Sequence, residues 1–129
     1  MFLTLDHCFF TLPKTPVKEM LDKVAAGKVD GFTCETNIAE LYYMTCEKFG
    51  RDVAEIRQQS IRHSRISVLP IDERLTRIVG SLKCTYRGKL SMVDAYILAV
   101  GKMLNGTLVT TDPRLKELKI LPTELLSIP

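Results

Sequence analysis

Two short apolar runs, residues 1–5 and 107–111, stand near opposite ends of the chain, and neither shows a clear alternation of polar and apolar side chains. Strands of that kind are expected where both faces are covered, as in a parallel sheet flanked by helices. The intervening sequence supplies the helices. Residues 17–26 put Val17, Met20, Leu21 and Val24 on one face and stop at Gly27. Residues 36–49 read as a helix closed by Gly50, and 52–63 as an exposed, charged one. Residues 72–86 bring Leu75, Ile78, Val79 and Leu82 into register, and 90–104 form a strongly apolar helix ended by Asn105-Gly106. Residues 31–34 and 66–71 are further strand candidates, with Pro70 marking a sheet edge or a strand end. Residues 113–118 allow a turn or two of helix, and 120–121 with the tail a fifth strand. Strands alternating with helices imply parallel pairing through right-handed crossovers. The expected architecture is α/β: a three-layer α/β/α sandwich with a central, mostly parallel five-stranded sheet.

A length of 129 residues fits one domain spanning 1–129, large enough to bury its own core. No stretch is long and apolar enough to span a bilayer. The opening run has no basic leader and reaches Asp6 at once, so no signal peptide is expected and the expected location is cytoplasmic. Cys8, Cys34, Cys46 and Cys84 lie far apart and lack the close pairing of structural zinc ligands; most are expected to be buried small hydrophobes. The net charge of +3 permits a polyanionic partner without demanding one.

The placement of the acids is more informative. Asp6 is the only charge before Lys14, Glu40 the only one between Glu35 and Glu47, and Asp94 the only one between Lys89 and Lys102. Asp112 closes a chargeless run that begins after Lys102. Taken singly, each has a local structural reading. Asp112 before Pro113 is a good helix N-cap. Ser91 with Asp94, and Asn37 with Glu40, have capping-box spacing, and Asp6 suits a cap for the element after it. Taken together they suggest a site. Asp6 and Asp112 follow strands, and the carboxyl edge of an open parallel sheet is where ligands bind. If their strands are neighbours, those ends lie about 5 Å apart. Glu40 and Asp94 fall in the opening turns of helices, at the same edge. Four converging carboxylates raise one another's pKa, and a hard divalent cation bound through oxygen removes the conflict. Such an ion activates water and neutralises charge on a phosphodiester, so no serine, cysteine or lysine nucleophile is needed.

These blocks resemble the PIN-domain nucleases and, among them, the VapC-type toxins of toxin–antitoxin pairs. The resemblance runs through most of the chain: an apolar strand ending in Asp6, the Thr36-Asn37-Ile38-Ala39-Glu40-Leu41 helix, Leu90-Ser91-Met92-Val93-Asp94-Ala95 with the apolar helix behind it, and Leu108-Val109-Thr110-Thr111-Asp112. The last two blocks, at this separation, are the specific part. The resemblance implies a five-stranded parallel sheet, Mg²⁺- or Mn²⁺-dependent endoribonuclease activity on RNA, homodimerisation and inhibition by an antitoxin protein. It implies Asp6, Glu40, Asp94 and Asp112 as the catalytic, metal-binding acids, with Thr110 as a supporting hydroxyl. One departure stands out: Asp6 is followed by His7-Cys8 where the family usually has a small polar residue. That leaves a second reading open, a catalytically degenerate PIN-like module that binds RNA or protein without cutting. A receiver-like signalling domain ranks third, because it normally pairs acids at its first strand and has a lysine after its last.

Other features favour ordinary readings. Arg57, Arg62, His63 and Arg65, and likewise Lys83, Arg87 and Lys89, are expected to be mainly solvated helix faces, although either group suits phosphate contacts. Tyr42, Tyr43 and Tyr86 suit stacking on bases, in competition with core packing and a dimer face. Residues 41–44 are apolar on nearly all sides, which suits burial against a partner. Asp72, in VLPID, is expected to cap the helix that follows it and is left out of the site.

Overall fold

In the computed structural model, which describes residues 2–5 and 15–126, five strands run parallel. They are β1 (Phe2–Leu5), β2 (Asp30–Cys34), β3 (Ser67–Leu69), β4 (Thr107–Thr110) and β5 (Thr123–Leu125). Their order is β3-β2-β1-β4-β5. Thus β1 is central, with Leu3 opposite both Gly31 and Thr107, and Leu5 opposite Val109. The two apolar runs at opposite ends of the sequence are hydrogen-bonded neighbours. Parallel pairing puts the carboxyl ends of all five strands at one edge.

Among the described residues six helices accompany the sheet: α1 (Thr15–Ala25), α2 (Glu35–Phe49), α3 (Arg51–Arg62), α4 (Glu73–Thr85), α5 (Met92–Leu104) and α6 (Pro113–Glu117). The period of two in β4 divides the core between its two faces. Leu108 packs in a cluster with Leu75, Val79 and Leu82 of α4, Ile97 and Leu98 of α5, and Leu115 of α6. Val109 belongs to the other cluster, with Val17, Met20 and Val24 of α1, Ile38 and Leu41 of α2, and Ile61 of α3. Burial of each large aliphatic side chain contributes about 1.5–3 kcal/mol. Helix α5 is the most enclosed, because Ala95 and the run Ile97–Val100 are fully buried against strands and helices.

Local chemistry fixes the boundaries. Gly50 separates α2 from α3 at φ +90°, a conformation that L side chains rarely adopt. Asn105 ends α5 at φ +53°, with Gly106 N–H donating to Gly101 O at 2.8 Å and Asn105 N–H to Lys102 O, a Schellman closure. Asp72 caps α4 through Leu75 N–H at 2.8 Å, as its sequence predicts. Strand β3 is shorter than the expected 66–71: Ile66 is buried in the core and Pro70, which has no N–H, lies beyond the ladder at the sheet's edge. The expected fifth strand forms in the tail, at Thr123–Leu125, while Ile120 is drawn into the core. Of the cysteines in the described residues only Cys34 is buried; Cys46 is half-buried and Cys84 exposed, which corrects the expectation that most would be interior.

Candidate metal centre

Strand β4 ends at Thr110, and two residues later Asp112 opens α6. Asp112 Oδ1 accepts from Arg114 N–H at 3.0 Å, the N-cap bond that an Asp-Pro helix start predicts. The same carboxylate is gripped by the Arg114 guanidinium, whose Nη2 donates to Oδ2 at 2.7 Å and whose Nε lies 3.2 Å from both oxygens. This contact, above all, holds the Asp112 carboxyl below its ordinary pKa. Two residues back along the chain, the fully buried Thr110 hydroxyl accepts from Asp112 N–H at 3.1 Å and fixes the backbone where the acid leaves the strand.

Asp94 comes from another element, toward the same edge of the sheet. It sits in the first turn of α5, where Ser91 Oγ accepts from its backbone N–H at 3.0 Å. Helix α5 packs against β1, β2 and β4 and ends two residues before β4 begins. Its last turn is therefore at the amino edge of the sheet and its first turn lies toward the carboxyl edge. The Asp94 side chain is half-buried and near enough to Arg114 to favour that residue's charged form. Arg114 is held in its charged form above all by its contact with Asp112, and least by the field of Asp94.

Glu40 lies farther into its helix than the first turn, as the sixth residue of α2. It is half-buried between the core residues Ile38 and Leu41 and the polar face. The helix grows from β2, which pairs with β1, so its start shares the carboxyl edge. Asp6 follows Leu5 in sequence but lies outside the described residues, as do His7 and Cys8. Among the described residues no three Asp, Glu, His or Cys side chains meet in a ready-made metal cage. Asp94 and Asp112 are both carried toward the carboxyl edge of the sheet, by α5 and by the end of β4. The donor types are nevertheless suited to a hard divalent ion: the carboxylates of Glu40, Asp94 and Asp112 are oxygen ligands, each half-buried.

Sequence reasoning missed Arg114. The available signal was the Asp112-Pro113-Arg114 spacing, in which a helix begun at Pro113 returns the next side chain over its own cap. The basic cluster near residue 60 is largely engaged within the fold: Arg62 is paired with Glu35, Arg57 stacks on Phe49 at 5.1 Å and His63 donates to Gln59 O. A groove of about 770 Å³ runs from Pro113 along α6 to β5, lined by Ile120, Leu121 and Leu125 among others, and includes none of the candidate acids.

A sequence profile of the PIN domain matches residues 14–121. No curated protein matches the chain by sequence. Among solved structures, VapBC2 from Rickettsia felis, bound to a promoter DNA fragment, is similar at TM-score 0.78 and 19% identity, covering 97% of this chain and 98% of that one. DNA-bound VapBC from Salmonella typhimurium gives TM-score 0.77 at 14% identity, over 96% and 97% of the two chains. VapC20 of Mycobacterium tuberculosis, described as a sarcin-ricin loop cleaving toxin, gives 0.70 at 13%, over 91% and 95%.

Proposed function

The chain belongs to the PIN domain family, and from that premise we propose that it is a metal-dependent endoribonuclease, the toxin of a VapBC-type toxin–antitoxin pair. The observation that carries this reading is the match to the PIN domain together with the placement of two of its acids: Asp112 follows β4 and Asp94 lies in the first turn of α5, both toward the carboxyl edge of the parallel sheet. Carboxylates brought from separate elements to one sheet edge would form the core of an oxygen-ligand site for Mg²⁺ or Mn²⁺. Asp6, which follows central strand β1, and Glu40, on the helix that grows from its neighbour β2, complete the proposed set.

When bound, such an ion lowers the pKa of its water and neutralises charge on the phosphodiester. The protein supplies placement. The Ser91 cap holds the backbone at Asp94, the Thr110 hydroxyl holds the backbone at Asp112, and burial of Thr110 keeps that anchor rigid. No side-chain nucleophile is required, since the carboxylates orient water rather than attack. The three-layer α/β/α arrangement and a single domain over 1–129 belong to the same reading, supported by core clusters built from the two faces of β4.

Two partners follow from the family reading. One is an antitoxin protein, since several similar structures are toxin–antitoxin complexes. The other is a second copy of this chain: α2 leaves Tyr43 and Phe49 more than half exposed, apolar surface suited to a homodimer face. Sedimentation at micromolar concentration is expected to show a dimer, and monomer alone would contradict that part.

The activity is tested by incubating the purified protein with single-stranded RNA after chelation and after adding back Mg²⁺ or Mn²⁺. Cleavage is expected only with the ion. Metal binding and RNA binding without cleavage would favour the degenerate module instead.

A further inference from the structure

Among the described residues, Arg114 touches a candidate metal ligand yet has no role in the nuclease reading. Its guanidinium is not needed to cap α6, because its own backbone N–H already fills that role with Asp112 Oδ1. The side chain nevertheless folds back over the carboxylate, contacts both oxygens, and lies in the field of Asp94. It therefore occupies the coordinating face of an acid assigned to a metal ion. At the same time it is three-quarters exposed, on a five-residue helix, and so is free to turn away. An ion at Asp112 and a guanidinium on both Asp112 oxygens compete for the same lone pairs. A displaced guanidinium stays tethered two residues from the site, with a planar donor fork that matches a phosphate.

We infer that Arg114 is a substrate-binding residue that exchanges partners: it pairs with Asp112 in the metal-free protein and, once a divalent ion takes Asp112, turns to a non-bridging phosphate oxygen of the RNA. The inference rests on the ribonuclease reading above, and it adds a phosphate-contacting residue to that reading. No bond is made or broken; one charge-assisted pairing replaces another.

The experiment measures Mn²⁺ affinity by calorimetry and binding of a fluorescent single-stranded DNA oligonucleotide as an uncleaved polyanion. It compares wild type, Arg114→Ala, Arg114→Lys, Asp112→Asn and Lys116→Ala. Removing the competing cation should tighten Mn²⁺ binding in Arg114→Ala, by up to about fivefold for an exposed pair. The same variant should lose the metal-dependent gain in oligonucleotide affinity, with the salt slope falling by about one. Arg114→Lys, which keeps the charge without the fork, should fall between wild type and Arg114→Ala in both. Lys116→Ala, a neighbouring exposed cation, should leave the metal-dependent gain intact. Unchanged Mn²⁺ affinity in Arg114→Ala, or an unchanged metal-dependent gain, overturns the exchange. Unchanged Mn²⁺ affinity in Asp112→Asn sinks the metal-site reading itself, and so separates the two failures.

Discussion

The buried hydroxyl of Thr110 accepts a hydrogen bond from the backbone N–H of Asp112 at 3.1 Å, so the last residue of β4 sets the position of the acid that follows it. Thr110→Val keeps the volume and removes the acceptor. Leaving that N–H without its acceptor should cost about 1 kcal/mol of stability. If the bond also places Asp112 for catalysis, cleavage should fall about ten- to a hundredfold. Thermal melts and RNA cleavage rates check both; a variant equal to wild type in each would show that the bond positions nothing.

The Glu35–Arg62 pair is bidentate, with Nη1 to Oε2 at 2.9 Å and Nη2 to Oε1 at 2.6 Å, and ties the start of α2 to the end of α3. Its side chains are 36–40% exposed, so solvent screening limits Arg62→Ala to about 0.5–1 kcal/mol at neutral pH. Hydrogen bonding from Arg62 lowers the Glu35 pKa below 4.5. A depressed carboxylate pKa stabilises the fold above its unfolded value and loses that contribution as pH falls through the folded one. The difference between wild type and Arg62→Ala in urea melts should persist from pH 7 to about 5 and shrink below 4.5. A difference that grows on acidification would contradict the pairing.

Cys84 is exposed and Cys34 fully buried. With an alkylating reagent followed by peptide mass spectrometry, Cys84 should be modified first, and Cys34 at a rate that tracks unfolding. Equal labelling of the two in the folded protein would overturn the packing around β2.

What the sequence made legible was mostly local. Asp72 three residues before Leu75, Ser91 three before Asp94, and Asp112 before Pro113 all announce caps that form as read. Gly50 and Asn105 announce helix ends through conformations that few other residues adopt. The lack of alternation at residues 1–5 and 107–111 identified strands that turn out to be neighbours. Less legible was what depends on chain segments meeting in space. The ladder around β3 stops short of its apolar sequence because Ile66 is recruited to the core, and Ile120 is lost to the fifth strand for the same reason. The Glu35–Arg62 pair spans 27 residues and carries no local mark. Within the site, the isolation of the acids drew attention to Asp112 but said nothing of the cation beside it. Reading Asp94 and Asp112 for lone charges passed over Arg114, whose importance lies in folding back on its own helix cap.

The most direct test of the central claim compares RNA cleavage by wild type and Asp94→Asn. The Ser91 cap uses the Asp94 backbone N–H, which the amide leaves untouched, so the variant should keep its fold to within about 1 kcal/mol. It removes the carboxylate that the first turn of α5 carries toward the sheet's carboxyl edge. With Mg²⁺ or Mn²⁺ present, wild type should cleave single-stranded RNA and Asp94→Asn should not, while added ion raises the melting temperature of wild type more than that of the variant. Equal cleavage by the two proteins, at equal stability, would show that Asp94 only occupies a helix turn and would contradict the metal-centre account.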